Sequence, residues 1–391
     1  MKTIKLGELC DINPKDALPD KGTLVSFIPM QRVSETGQVD ATETRQSEEV
    51  TKGFSSFREG DILMAKITPC MENGKGGIAK GLCNGIGYGS TEFHVIRPTS
   101  PLVRTEWIYY YTTYPRFRKL CEQNMTGSAG QKRVPKSYLL GCPIPVPNLN
   151  TQDKVIHSLR SLRSIIEHRR AQLAKLDELV KCRFVELFGD PILNEKKWMT
   201  KPVKELTTKV GSGATPKGGD SSYKDSGISL IRSLNVHNNI FTTKELAHID
   251  NEQANQLSNV TIQSGDVLLN ITGASVARCC IVPDDILPAR VNQHVCIIRC
   301  NDMLNPLFLE RLLTSDNYQT YLWNVAEGGG GTRQALTKQQ IENFSIITPP
   351  ITLQTTFAAF VQRIDKLRVS IQASLDKTQQ LFDSLMQEYF D

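Results

Sequence analysis

The sequence predicts an α+β chain built twice: two tandem-duplicated globular units, each followed by a long helix. Three observations predict it. Short segments recur in the same order at a nearly constant offset, a heptad-patterned run free of glycine and proline closes each half, and strand-like apolar runs mixed with helical segments fill the rest.

The repeat comes first because the other elements hang on it. SAGQKRVPK (Ser128–Lys136) mirrors GGTRQALTK (Gly330–Lys338), and the final lysines stand 202 residues apart. The same offset relates HVIRP, with Arg97, to CIIRC, with Arg299, and PNLNTQ, ending at Gln152, to PPITLQ, ending at Gln354. Further upstream, GDILMAKIT at Gly60 answers GDVLLNIT at Gly265 with an offset of 205. A period near 200 residues lies far above solenoid periods, so each half is a domain with an appendage.

The appendages are helices. From Thr151 to Phe188, Leu159, Ile166, Leu173, Val180 and Leu187 share one heptad position. Leu162 and Leu176 share a second, interrupted by Arg169 and Arg183, and Gly189 and Pro191 end the run. In the second copy Phe357, Ile364, Ile371 and Leu385 take one position, with Thr378 between them, and Phe360, Leu367 and Leu381 the other, with Ser374 between them. A helix of about 38 residues is roughly 57 Å long. It cannot bury such a stripe alone, so a helix-pair seam is expected on these positions.

The globular parts carry strand-like runs in DILMAKIT, FHVIRP, DVLLNIT, RCCIV and HVCIIRC. A helical segment follows in each half, Trp107–Cys121 and Pro306–Val325. Then come a glycine-containing basic loop, a short strand (CPIPVP or FSIITPP) and the long helix. The tyrosines of WIYYYTTYPRF are expected in the core rather than stacked on bases.

Composition narrows the function classes. The 391 residues carry a net charge of +5 with pI near 8.6, which permits a polyanionic partner without demanding one. No apolar run approaches the ~20 residues of a membrane span. MKTIKLGELCDINPKD turns polar too soon for a signal peptide, so a cytoplasmic location is expected. The cysteines, among them adjacent Cys279 and Cys280 and the nearby Cys296 and Cys300, form no zinc pattern and read as reduced thiols.

Catalytic constellations are missing. GSGATPKGGDS (Gly211–Ser221) lacks the Gly-Lys-Ser/Thr order of a phosphate loop and reads as a loop presenting Ser212, Thr215 and Lys217. There is no Gly-rich cofactor fingerprint and no nucleophile elbow. Asp61 and Asp266, at strand starts, read as turn and cap residues.

Basic and amide residues instead gather where the repeat places its loops. Arg116, Arg118 and Lys119 precede Gln131, Lys132, Arg133 and Lys136 in the first half; Arg333, Gln334 and Lys338 hold the equivalent place in the second. Arginine reads guanine and amides read adenine in the major groove, while lysine and threonine suit phosphates. A shared scaffold with different tips is what two readers of two different sequences need. Gly328–Gly331 would let the second loop's backbone come close to DNA.

These residues resemble the specificity subunits of type I restriction–modification systems. The resemblance is carried by GQKRVPKSYLLGCPIPVPNLNTQ and GTRQALTKQQIENFSIITPPITLQ, the GDIL and GDVLLNITGASVA stretches, GSGATPKGGD after Val210, and LDELVKCRFVELFGDP closing the first helix. It implies target-recognition domains at 1–148 and 191–348 and spacer helices at 149–190 and 349–391. The helices would pair as an antiparallel coiled coil with pseudo-twofold symmetry. Each domain would read one half of a bipartite, asymmetric DNA target. It further implies a non-catalytic chain with no cofactor of its own. Two methyltransferase subunits would carry S-adenosylmethionine, and endonuclease–translocase subunits would complete the assembly. The DNA-facing set expected on this reading is Lys66, Thr68, Gln131, Lys132, Arg133, Lys136, Ser212, Thr215, Lys217, Arg232, Asn270, Thr272, Arg278, Asn292, Gln293, Arg333, Gln334 and Lys338. From the residues alone, a coiled-coil scaffold and a free-standing DNA-binding regulator stay open as alternatives.

Overall fold

The structure, a computed structural model, describes residues 2–128, 130–216, 219–328 and 334–391. It divides into two compact units, Met1–Arg170 with Ala373–Asp391, and Ala171–Gln372. The long helices are Leu149–Phe188 and Ile351–Phe390, and each unit holds part of both. No helix among the described residues is long and apolar enough to cross a membrane.

Each unit is mixed α/β around a four-stranded sheet. In the first the strand order is Cys10–Ile12, Phe93–Pro98, Ile62–Ala65, Gly76–Ile78; in the second it is Thr207–Ser212, Val295–Cys300, Val267–Asn270, Cys279–Ile281, in the same antiparallel arrangement. The central strands read as unbroken apolar runs because both of their faces are covered. In the second unit Val267, Leu269, Cys296 and Ile298 face one core, which includes Phe308 and Leu312, while Leu268, Cys280, Val295 and Ile297 face another with Leu230 and Ile249. The alternation follows from the two-residue strand period. In the first unit Ile62 and Ile96 join Trp107 and the tyrosines of its helix, and Leu63 and Val95 join Phe57. A further sheet accompanies each: Thr44–Gln46, Leu24–Ile28, Ile86–Gly89, Ser55–Arg58 in the first unit, and Ala247–Ile249, Ile228–Ile231, Ala289–Val291 in the second.

Each expected helical segment is two helices. Thr105–Thr113 stops at Tyr114 because Pro115 opens Pro115–Gln123, and Pro306–Leu313 gives way to Asp316–Glu327 through Thr314 and Ser315.

The repeated motifs mark internal locks. Arg97 forks onto Asp61 at 2.8 and 2.6 Å, and Arg299 onto Asp266 at 2.7 and 2.7 Å. Each aspartate also accepts the amide three residues upstream, Arg58 at 2.7 Å and Gln263 at 2.8 Å, so the turn role expected of them is joined to an ion pair. Gln152 and Gln354 are fully buried. Gln152 accepts from the Arg104 amide at 2.9 Å and donates to the carbonyls of Leu102 and Pro147 at 2.8 and 2.9 Å. Gln354 does the same with Asn305, Met303 and Pro349 at 2.8, 3.2 and 2.8 Å, tying the foot of its long helix to the domain.

On the long helices, Leu159, Ile166, Val180, Phe357 and Ile364 are buried, and Leu162, Leu173, Leu176, Phe360, Ile371 and Leu385 are half-buried. In the second unit the rings of Phe184 and Phe188 lie 5.6 and 5.4 Å from Phe357, and Arg368 pairs with Asp177. In the first, the Arg163 guanidinium lies 5.8 Å from the Phe382 ring. Two expected seam positions are corrected: Leu367 and Leu381 are 53% and 61% exposed. Burial along this helix steps by four and then three from Phe357, through Val361, Ile364, Leu375 and Thr378, whereas the expected second row steps by three and then four. One residue is about 100° of rotation, enough to turn a side chain outward.

Candidate nucleic-acid interface

In each unit one loop is fixed to the end of a core strand by main-chain atoms. In the first, the Thr68 amide donates to the Lys132 carbonyl at 3.1 Å and the Val134 amide to the Lys66 carbonyl at 2.9 Å. In the second, the Gly273 amide donates to the Gln334 carbonyl at 3.0 Å and the Leu336 amide to the Ile271 carbonyl at 2.8 Å. The loop residues differ in number by 202 and the strand-end residues by 205, the two offsets of the repeat.

Around the first loop, His94 Nε2 donates to the Val134 carbonyl at 2.7 Å while Nδ1 accepts from Asn13 at 3.2 Å. Burial lowers the pKa of this imidazole and favours its neutral form. Arg133, expected to face outward, is instead forked onto Glu92 at 2.9 and 2.9 Å, with Nη1 on the Gln131 carbonyl at 3.0 Å. The guanidinium holds the Glu92 carboxyl below its ordinary range. Glu92 and the Gln131 carbonyl take three of the five Arg133 side-chain N–H donors, and the side chain is still 40% exposed. Thr68 is likewise turned to Glu72 at 2.8 Å, and Lys66 is half-buried. Gln131, Lys132 and Lys136 are the exposed members of the expected set.

In the second unit Thr215, Gln293, His294 and Thr272 join in one hydrogen-bonded chain. Gln293 Nε2 lies 3.1 Å from His294 Nε2 and donates to it, leaving Nδ1 to carry the proton toward the Thr272 hydroxyl at 2.6 Å. Thr215 donates to the Gln293 side-chain oxygen. The Asn292 carbonyl accepts the Gly213 amide at 3.1 Å, and its side chain accepts the His294 amide at 3.0 Å. Gly213 has no alternative residue here, because a Cβ would lie 1.8 Å from the Val291 carbonyl oxygen. Gln334 donates to Glu327 at 3.0 Å, and Lys338 sits 3.5 Å from Glu342. Arg232 bonds the Glu245 carbonyl at 2.5 Å and lies over Tyr223, and Arg278 Nη1 is 3.4 Å from His237.

Two expected contact residues are corrected. Asn270 is fully buried and donates to the Ser233 and Val236 carbonyls at 2.8 and 3.4 Å, and Asn292 is buried as the loop brace just described. Both amides hold other loops in place and cannot reach a ligand. Ser212 and Gln293 are exposed, Thr215, Arg232, Thr272, Arg278 and Gln334 half-exposed, and Lys338 exposed. Lys217 and Arg333, with Gly329–Gly331, lie outside the described residues. No group of three His, Cys, Asp or Glu residues that could hold a metal occurs among the described residues. The surface therefore offers amides, hydroxyls and ammonium groups, the set that binds base edges and phosphates.

The family model described as the type I restriction modification DNA specificity domain matches residues 1–177 and 195–380. The chain belongs to that family. The EcoAI specificity subunit of the type I restriction enzyme of Escherichia coli is 42% identical over 176 residues, covering 44% of this chain and 30% of that protein, so the chain spans under a third of this relative. The S subunit of the type I restriction–modification system of M. genitalium shares the fold over 100% of this chain and 96% of its own, with a TM-score of 0.63 at 13% identity. A chain solved in a study of complex assembly and conformational transition of the type I R-M system shares it with a TM-score of 0.56 at 17% identity, over 100% and 97%. In this specificity-domain chain His294, Glu92 and Glu327 were not singled out by sequence. Nothing local marks them, since each acts on a partner brought close by the fold.

Proposed function

We propose that the chain is the DNA-specificity subunit of a type I restriction–modification complex. Residues 1–148 and 191–348 are its two target-recognition domains, each reading one half of a bipartite, asymmetric site. The helices at 149–190 and 349–391 pair as an antiparallel coiled coil about a pseudo-twofold and fix the spacing. The chain works in the cytoplasm and is not an enzyme. Adenine methylation, with S-adenosylmethionine, belongs to two methyltransferase subunits, and cleavage to endonuclease–translocase subunits. The observation carrying this reading is the main-chain clamp made twice, which presents different side chains from one scaffold. The outward Leu367 and Leu381, two heptads apart on one helix face, suit docking of the methyltransferase subunits.

Mapping methylated adenines in a genome that expresses this chain with its methyltransferase tests the reading. The expected result is one two-part, asymmetric motif that disappears when the chain is deleted; methylation indifferent to the chain would refute it. The ruler has its own test. Four residues inserted after the exposed Lys175 add about 6 Å of rise and about one turn. The expected product is a longer spacer between unchanged half-sites, and unchanged spacing would remove the helices from that role.

A further inference from the structure

The second unit has a groove of about 610 Å³ that none of the expected contact residues explains by itself. Its floor is the strand Thr207–Ser212, an edge strand of the four-stranded sheet. Lys204, Lys209 and Lys338 stand around it, with the Thr207, Thr208 and Ser212 hydroxyls. One carboxylate, Glu342, lines it, and that group sits by Lys338. Lys204 rests on the neutral Asn343 side-chain oxygen at 3.1 Å and Lys209 on the Asn259 carbonyl. Two ammonium groups are thus held over the groove by neutral acceptors.

We propose that this groove seats the sugar–phosphate backbone of the DNA read by the second unit, with Lys204 and Lys209 as phosphate contacts; the inference rests on the DNA-reading function above. Three features favour a nucleic-acid backbone. The groove ends at Ser212 and runs directly into the loop whose Thr215 is held by Gln293, so it continues the polar surface already described. The strand has six residues, which at ~3.3 Å each is about 20 Å. A short backbone segment of one DNA strand, carrying a few phosphates, can lie along it. Three lysines and three hydroxyls against one amide side chain, Asn259, suit a partner whose charge repeats and whose sequence does not matter.

The seat is confined to the second unit. Lys209 lies opposite Arg299 in the sheet, and the residue opposite Arg97 in the first unit is Asp11. The sign of the charge is reversed at the equivalent place, so the first unit must hold its half-site's backbone elsewhere.

The test is a salt titration of the full-length chain assembled with its methyltransferase. The probes are a duplex carrying the mapped motif and duplexes with either half scrambled. Each neutralised phosphate contributes about 0.9 to the slope of log affinity against log salt. The Lys204→Gln, Lys209→Gln double variant should be shallower by about two units on every duplex, with the ratio of motif to scrambled affinity kept. The Lys204→Arg, Lys209→Arg variant should restore the slope, which a merely structural role would not require. A wild-type slope in the Gln variant, with sequence preference intact in the wild type, would overturn the groove and leave the function standing. A changed base preference would overturn it by making the lysines readers. An unchanged slope with weakened methyltransferase assembly would overturn it in favour of an acidic protein face. A wild-type complex that cannot tell the duplexes apart would defeat the functional reading, and this proposal with it.

Discussion

Leu173→Pro is expected to break the first long helix and destabilise the chain by about 3 kcal/mol or more. Position 173 lies deep inside Leu149–Phe188, far from either end. The substitution removes one helical amide donor and drives the ring into the carbonyl four residues back, at Arg169. Leu173 is also half-buried on the apolar stripe, so packing is lost with the hydrogen bond. Leu173→Ala separates the two effects, since it trims the side chain and keeps a strong helix former. Circular dichroism and the melting midpoint should show the Pro variant well below the Ala variant, with methyltransferase assembly impaired only in the former. Equal midpoints and equal assembly would mean that an unbroken helix is not needed.

Asp266→Ala should cost about 3 kcal/mol in the second unit, near the low end for removing one partner of a buried pair. The Asp266 side chain is 0% exposed and that of Arg299 is 22% exposed. The stranded guanidinium keeps some water and the Thr261 carbonyl at 3.0 Å, which holds the loss toward that low end. The Gln263 amide is stranded as well. Asp61→Ala should be milder, because Arg97 is also forked onto Asp16 at 2.8 and 2.8 Å. At about 2–4 °C per kcal/mol for a unit of this size, the Asp266 variant should melt roughly 6–12 °C lower. A smaller shift for Asp266→Ala than for Asp61→Ala would contradict this account of the two bridges.

The parts that were legible in sequence are those that occur twice. Arg97 and Arg299, Asp61 and Asp266, and Gln152 and Gln354 stand out as identities at the two repeat offsets, 202 and 205, and each pair makes corresponding bonds in both units. The long helices were legible because nothing inside them breaks the pattern. The second seam row on Ile351–Phe390 was misplaced because Phe360, Leu367 and Leu381 form an apolar row, whereas Arg368 and Thr378 interrupt the row of Val361 and Leu375 that is buried. Size alone cannot say which side of a helix faces inward. The contact surface was harder still. Arg133 is paired with a carboxylate 41 residues away, and Asn270 donates to carbonyls 37 and 34 residues away. A polar residue near a loop reads the same in sequence whether it points at solvent or braces a neighbour.

The clamp that ties each loop to its strand uses only amides and carbonyls, atoms every residue except proline supplies in full. A loop anchored this way is indifferent to the side chains it displays. Substitutions at Gln131, Lys132 or Gln334 can drift without unfolding the domain that carries them. On the proposed function, selection could then explore new targets through single steps that remain foldable. The tip would be close to neutral for stability while exposed to selection for recognition, so a lineage could change what it reads without rebuilding the reader.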